Sequence, residues 1–175
     1  MVSSKQKVIY MNINEQFLSD DDFDVFKVIS PLWWNVSIHD GEEEYEDGLR
    51  KFSLAQRYIF AIVRYDTEVN IGGHYQFYNN STGIVWEDVM KGFEVIGATK
   101  CAKIIKKSIE LFYGCPSKIK EERWKQMDNQ SFDDDTFDEL DDAYYNGGSI
   151  ELELLRSYIK NNANDFYFSG KVTVC

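Results

Sequence analysis

The fold is decided by residues 53–83, Ser53-Leu54-Ala55-Gln56-Arg57-Tyr58-Ile59-Phe60-Ala61-Ile62-Val63-Arg64-Tyr65-Asp66-Thr67-Glu68-Val69-Asn70-Ile71-Gly72-Gly73-His74-Tyr75-Gln76-Phe77-Tyr78-Asn79-Asn80-Ser81-Thr82-Gly83. Ser53 and Gln56 form a capping-box pattern, in which the serine hydroxyl and the glutamine amide each satisfy a backbone N–H at a helix start. The helix they open is apolar nearly all round from Tyr58 to Val63, which predicts a central helix enclosed by others. It is expected to end at Glu68–Asn70. Gly72 and Gly73 then permit positive φ in a tight turn, and a short aromatic-rich helix follows until Gly83 stops it. Gln76, Asn79 and Asn80 lie between large aromatics and need hydrogen-bond partners if buried. Two readings stay open for Glu68, Asn70, Gly72, Gly73, Gln76, Asn80 and Gly83: a structural motif, or a small polar ligand pocket with Glu68, Asn70 and Gln76 pointing inward.

Helical signals continue on both sides. Ser19 before Asp20, Asp21 and Asp22 reads as an N-cap with an acidic first turn, and Phe23, Phe26 and Ile29 give an apolar stripe until Pro31. Residues 98–113 place Cys101, Ile104, Ile105, Ile109 and Phe112 on one face and Lys100, Lys103, Lys107 and Glu110 on the other, and Gly114 and Pro116 end that helix. Ser117 is expected to cap a short helix through Lys125. Thr136-Phe137-Asp138-Glu139 is a second capping-box pattern, opening a helix to about Asn146 with Phe137, Leu140 and Tyr144 as its apolar stripe and Gly147-Gly148 as its stop. Ser149 is expected to cap a last helix through Lys160. Only Lys7–Met11 and Tyr167–Val174 invite a strand reading, and both are terminal and short. The expectation is an all-α fold, a single compact multi-helix domain of about seven or eight helices. Its parts are an acidic helical segment over residues 1–50 packed on a main domain over 51–168, and a tail over 169–175.

The chain has 175 residues, with 30 Asp and Glu against 19 Lys and Arg, a net charge of −11 and a pI near 4.6. The 43% hydrophobic and 15% aromatic content excludes a disordered acidic tail. The negative charge disfavours direct binding to nucleic acid or to an anionic membrane, and makes basic proteins the natural partners. That charge is unevenly spread. Residues 1–50 carry 4 basic and 11 acidic side chains, residues 51–120 carry 10 and 6, and residues 121–175 carry 5 and 13. The acids cluster at Asp20–Asp24, at Asp40–Asp47 with Glu42, Glu43, Glu44, Glu46 and Asp47, and at Asp133–Asp142 with Asp133, Asp134, Asp135, Asp138, Glu139, Asp141 and Asp142. A solvated face is the ordinary meaning of such runs.

Catalytic and cofactor signals are weak. Cys101, Cys115 and Cys175 contain no CxxC pair and, being odd in number, make no closed disulfide framework, which fits a reducing compartment. No secretory signal is recognised near the N-terminus, and the apolar run Tyr58–Val63 is far short of a bilayer span, so a cytoplasmic protein is expected. His39 and His74 form no metal-binding pattern. The Asp133–Asp135 cluster lacks the glycine and the spaced acid of a calcium loop, since Asp138 and Tyr144 stand in those places. Gly72-Gly73 and Gly147-Gly148 belong to no phosphate-loop motif, and nothing local pairs Cys115 with His74 as nucleophile and base. The expectation is a non-enzymatic protein with no cofactor and no metal.

Ser53-Leu54-x-Gln56-Arg57, Glu68-Val69-Asn70-x-Gly72-Gly73-x-x-Gln76-Phe77-x-x-Asn80-Ser81-Thr82-Gly83 and Ile96-Gly97-Ala98 together resemble the DNA mimic protein 19 family, a domain of unknown function. A weaker likeness continues through Leu140-Asp141-Asp142-x-Tyr144-Tyr145 to about Phe168. Ile71 and His74 depart from the family's usual asparagine and aromatic. The resemblance implies an all-α fold and an acidic surface that imitates the DNA phosphate backbone, occupying the DNA-binding face of a repressor-like transcription factor. Fold and function need not travel together, because the shared motif lies in the mildly basic middle while mimicry needs the acidic flanks. On the helix after Thr136, Asp138 with Asp141 and Asp142, and Asp135 with Glu139, have the i,i+3 and i,i+4 spacing of a charge row. Asp133, Asp134, Asp135, Asp138, Glu139, Asp141 and Asp142 are the first expected contacts for a basic DNA-binding protein, with Glu42, Glu43, Glu44, Glu46 and Asp47 as the second. Two alternatives remain: an immunity-type protein that neutralises a basic nuclease toxin, and a small-ligand-binding protein using Glu68, Asn70, His74 and Gln76.

Overall fold

A computed structural model describes residues 7–38, 40, 42–80, 82–114, 122, 125–126, 133 and 135–174. The expected helix from Ser117 through Lys125, its neighbours Cys115 and Pro116, and His39, Asp134 and Cys175 lie wholly or largely outside the described residues, as does the side chain of Glu42.

The protein is mostly helical, organised around the long helix predicted from Ser53. In chain order the described elements are β1 (Lys7–Ile13), α1 (Glu15–Ser19), α2 (Val25–Trp33), α3 (Glu42–Leu49), α4 (Leu54–Asn79), a 3₁₀ turn (Thr82–Val85), α5 (Trp86–Ile96) and α6 (Thr99–Tyr113). They continue with α7 (Asp138–Ala143), a π turn (Tyr144–Gly148), α8 (Leu152–Asn161), α9 (Ala163–Phe166) and β2 (Phe168–Val174). Among the described residues no helix is long and apolar enough to cross a membrane.

The capping box at the start of α4 is formed in full: Ser53 Oγ accepts from Gln56 N–H, and Gln56 Oε1 accepts from Ser53 N–H. The helix then buries Ile59, Phe60, Ala61, Ile62, Tyr65 and Val69, as its apolar run requires. On α6 the predicted stripe of Cys101, Ile104, Ile105, Ile109 and Phe112 is buried, and Gly114 ends the helix at φ 67° with its N–H on Glu110 O. Tyr65 stands at the centre of the core, meeting Phe77, Phe93 and Tyr144 edge-on at 5.0 to 5.6 Å between ring centroids. Such offset and edge-to-face pairs suit the charge distribution of aromatic rings.

Six expectations are corrected. The fold is not purely α-helical: β1 and β2 pair antiparallel, from Lys7 opposite Val174 to Ile13 opposite Phe168. The segment expected as a C-terminal tail is therefore a strand. A two-stranded ribbon is marginal alone, and this one is held by Met11, Ile13 and Val172, which enter the core. Ser19 is the last residue of α1 rather than a cap; Asp24 caps α2 by accepting from Phe26 and Lys27 N–H, and Asp20 accepts from Asp22 N–H in the turn between. Pro31 does not end α2, which runs two residues beyond it. The Thr136 box does not form, because the chain turns through residues 135–137 and α7 starts at Asp138 without a side-chain cap. Likewise Glu151, not Ser149, is the N-cap residue of α8.

Candidate acidic interaction surface

The geometry of the site begins inside α4. Gly72 (φ −154°, ψ 29°) and Gly73 (φ 70°, ψ −175°) break its helical path, so a first segment ends where the sequence predicted and a second, aromatic-rich segment follows. Gly73 combines a positive φ with an extended ψ, a region open essentially to glycine alone. It also has no room: a Cβ there would lie 2.2 Å from Asp141 Oδ2.

The polar motif residues tie the two segments together. Glu68 Oε2 accepts from Gln76 Nε2 at 2.9 Å and from Asn80 Nδ2 at 3.0 Å, bridging the break with one carboxylate. Asn70 is exposed, and its amide returns to Asp66 O one turn back. Gly83, in the 3₁₀ turn, is buried against the Tyr78 ring. Glu68 and Gln76 thus satisfy each other.

At the break the backbone and side chain of His74 are clamped by α7. Asp141 Oδ1 accepts from His74 N–H at 2.9 Å and meets the ring at Nδ1. A carboxylate only accepts, so Nδ1 carries a proton; in the neutral ring Nε2 then accepts from the Tyr65 hydroxyl at 2.7 Å. His74 and Tyr65 are fully buried, and every polar atom of this pair has a partner, as burial demands. Burial, followed by the neighbouring Tyr144 and Tyr78, pushes the Tyr65 phenol well above its ordinary range. Two further tyrosines beside α7 fasten the same joint. Tyr144, whose phenol is raised first by burial and then by Asp66, donates to Asp66 Oδ1, and Tyr145 donates to Val69 O.

This clamp sets the rotation of α7. Phe137, Leu140 and Tyr144 are buried as predicted, and Asp141, at i+4 from Phe137, joins that inward stripe. Asp138, Glu139 and Asp142 are left exposed, as are Asp133 and Asp135 ahead of the helix. None of these five makes an ion pair among the described residues, whereas Asp141 is engaged with His74. The seven acids grouped by sequence therefore divide by environment, with Asp134 outside the described set.

The other acidic cluster sits elsewhere. On α3, Tyr45 and Leu49 are buried, Glu43 and Glu44 are exposed, Glu46 binds Arg57 at 3.2 Å, and Asp47 binds Arg50 at 2.8 Å. Arg57 also holds Asp88 of α5 at 3.0 Å, and Asp88 accepts from the Tyr45 hydroxyl. Burial pulls the Arg57 guanidinium down, but Asp88 and Glu46 outweigh it and hold the group above its ordinary value. Arg57 marks where α3 meets α4; Asp66 and Val69 mark where the α7 region meets it. Asp66 and Val69 lie about 14 and 18 Å further along the helix, and about 180° and 120° around it. The two clusters are thus anchored on different faces of α4.

Sequence reasoning missed Asp66, Tyr65 and Asp141 as partners of the joint. An available signal was an acid on an apolar stripe, since residues 137, 140, 141 and 144 share one helical face.

Neither the curated proteins nor the solved structures compared with this chain gave a match. The family model described as DMP19-like protein matches residues 50–162, from just before the capping box of α4 to the end of α8, and so includes the broken helix and the helix clamped onto it. The chain belongs to the DMP19-like protein family.

Proposed function

We propose that this chain is a non-enzymatic acidic binding protein that acts as a DNA mimic, occupying the DNA-binding surface of a basic protein with the exposed acids of α7. The observation that carries this reading is the division of the α7 acids. Asp141 is spent on His74, and the docking it enforces presents Asp138, Glu139 and Asp142 to solvent without a basic partner among the described residues. Asp138 with Asp142, at i,i+4, places two carboxylates on one ridge, with Cβ atoms about 6 Å apart. A phosphate backbone offers a partner's Lys and Arg a similar opportunity to engage several fixed charges together. Family membership supports the same reading, as does a net charge of −11. The α3 acids are a separate and partly neutralised surface, and contribute less.

The test is capture of partners on the immobilised chain at low salt, with elution by duplex DNA. The expected partner is a DNA-binding protein released by DNA and by salt, and captured poorly by the D138N/E139Q/D142N variant. A captured protein that still binds its DNA when saturated with this chain would contradict the reading. Capture of a nuclease whose cleavage is blocked would instead assign the same surface to an immunity role.

A further inference from the structure

A concave surface of the opposite charge lies beside α7 and shares Glu139 with its acidic face. A cavity of about 460 Å³ opens between α6 and the α7–π-turn segment, lined by Lys100, Lys103 and Lys107 on one side and by Glu139, Asn146 and Gly147 on the other. Ile104, Leu140 and Ala143 supply its apolar part, Ile104 and Leu140 belonging to the buried core. The volume falls in the range of small-molecule pockets, about 300–1,000 Å³.

The lysines are the unusual feature. Their i, i+3 and i+7 spacing aligns them along one edge of α6, with neighbouring Cβ atoms about 5–6 Å apart. All three are exposed, and none forms an ion pair among the described residues. This occurs in a protein with an excess of acids, where surface lysines have abundant carboxylates to meet. Three lysines and a single acid, Glu139, line the cavity around its apolar part. Neighbouring like charges on a helix oppose one another, and an anion held among them removes that repulsion as well as gaining charge-assisted hydrogen bonds.

We infer that this cavity is a binding site for a small anionic amphiphile, its carboxylate or phosphate head held by Lys100, Lys103 and Lys107 and its apolar body laid on Ile104, Leu140 and Ala143. The site differs from the acidic ridge in charge and in ligand, and it stands whether or not the mimic reading does.

Sodium decanoate and decyl phosphate, with decanol as the uncharged control, would be titrated into ¹⁵N-labelled protein. The expected result is saturable amide shifts confined to residues 100–107 and 139–147 for at least one anion, with Kd below about 1 mM. Which anion binds distinguishes a carboxylate from a phosphate head. The K103Q/K107Q variant, which changes exposed side chains and should retain the native spectrum, should bind that anion at least about tenfold more weakly, as expected for loss of charged hydrogen bonds. The inference is overturned if neither anion saturates, if decanol binds as well, if the shifts fall elsewhere, or if K103Q/K107Q binds undiminished.

Discussion

Helices α3 and α7 are both short, both acidic and both anchored on α4, yet they handle their charge in opposite ways. On α3 the core-facing residues are Tyr45 and Leu49, and two of the acids beside them are matched to arginines, Glu46 to Arg57 and Asp47 to Arg50. On α7 one acid turns inward to hold a histidine and the others are left unmatched among the described residues. Negative charge on α3 is therefore used in part within the molecule. On α7 a single internal contact fixes the outward display of the rest. A count of acids cannot separate these cases, because what matters is the partner each carboxylate has.

The comparison can be broken most severely at the joint itself. Gly73→Ala forces a side chain into an ε-type conformation and into Asp141; a loss of about 3 kcal/mol or more is expected by urea denaturation, with α7 displaced. Asp141→Ala strips a buried N–H and ring donor of their acceptor, at about 1–3 kcal/mol for each unsatisfied group. Asp142→Asn, one residue on, should stay within about 0.5 kcal/mol of the parent. Equal effects at 141 and 142 would show that the division of the acids is wrong.

On α3 the corresponding break is Arg57→Met, which leaves Asp88 half-enclosed without its cation. The side chains of Arg57 and Asp88 are 21% and 13% exposed, so solvent screens the pair in part. The expected loss is about 1–3 kcal/mol, below the cost of breaking a wholly buried pair. Added salt should reduce that difference between variant and parent.

High pH tests the joint and the core together. The phenols of Tyr45, Tyr65 and Tyr144 are all raised, in each case first by burial. A raised folded pKa favours the folded state only while the unfolded chain keeps its proton. The contribution is complete below about pH 10 and falls as pH rises above it. Stability should drop by about 1.4 kcal/mol per pH unit for each such tyrosine, with tyrosinate absorbance appearing together with loss of helical circular dichroism. Ionisation of these tyrosines without unfolding would contradict their burial. At the small end, D138N/E139Q/D142N should leave stability unchanged or raise it by a few tenths of a kcal/mol, about 0.2–0.5 for each relieved like-charge pair.

Much of this was legible in the residues alone. Ser53 and Gln56 announce α4, Gly72-Gly73 announces its break, and the period of Cys101 to Phe112 gives the buried face of α6, because each signal is local and chemically specific. The strand pair was not, since Tyr10 and Lys171 become neighbours only across nearly the whole chain and each strand is too short to assert an alternation. Helix starts at acidic runs also misled: Ser19 and Thr136 have the right residue type, but Asp24 caps one helix and no side chain caps the other. The outward acids were identified as a group. Their division needed tertiary structure, because Asp141 and Asp142 are chemically identical and only the proximity of His74 distinguishes them.

The central claim is that α7, not α3, presents the working charge. Its most direct test is the affinity of a captured basic partner, measured against salt for the parent, for D138N/E139Q/D142N and for E43Q/E44Q/D47N. Removing the α7 charges should weaken binding by about 30-fold or more, roughly 2 kcal/mol, and flatten the dependence of log Kd on log salt. Removing the α3 charges should change affinity by less than about threefold. An α3 variant that loses as much as the α7 variant, or an α7 variant that binds normally with an unchanged salt slope, would contradict the account.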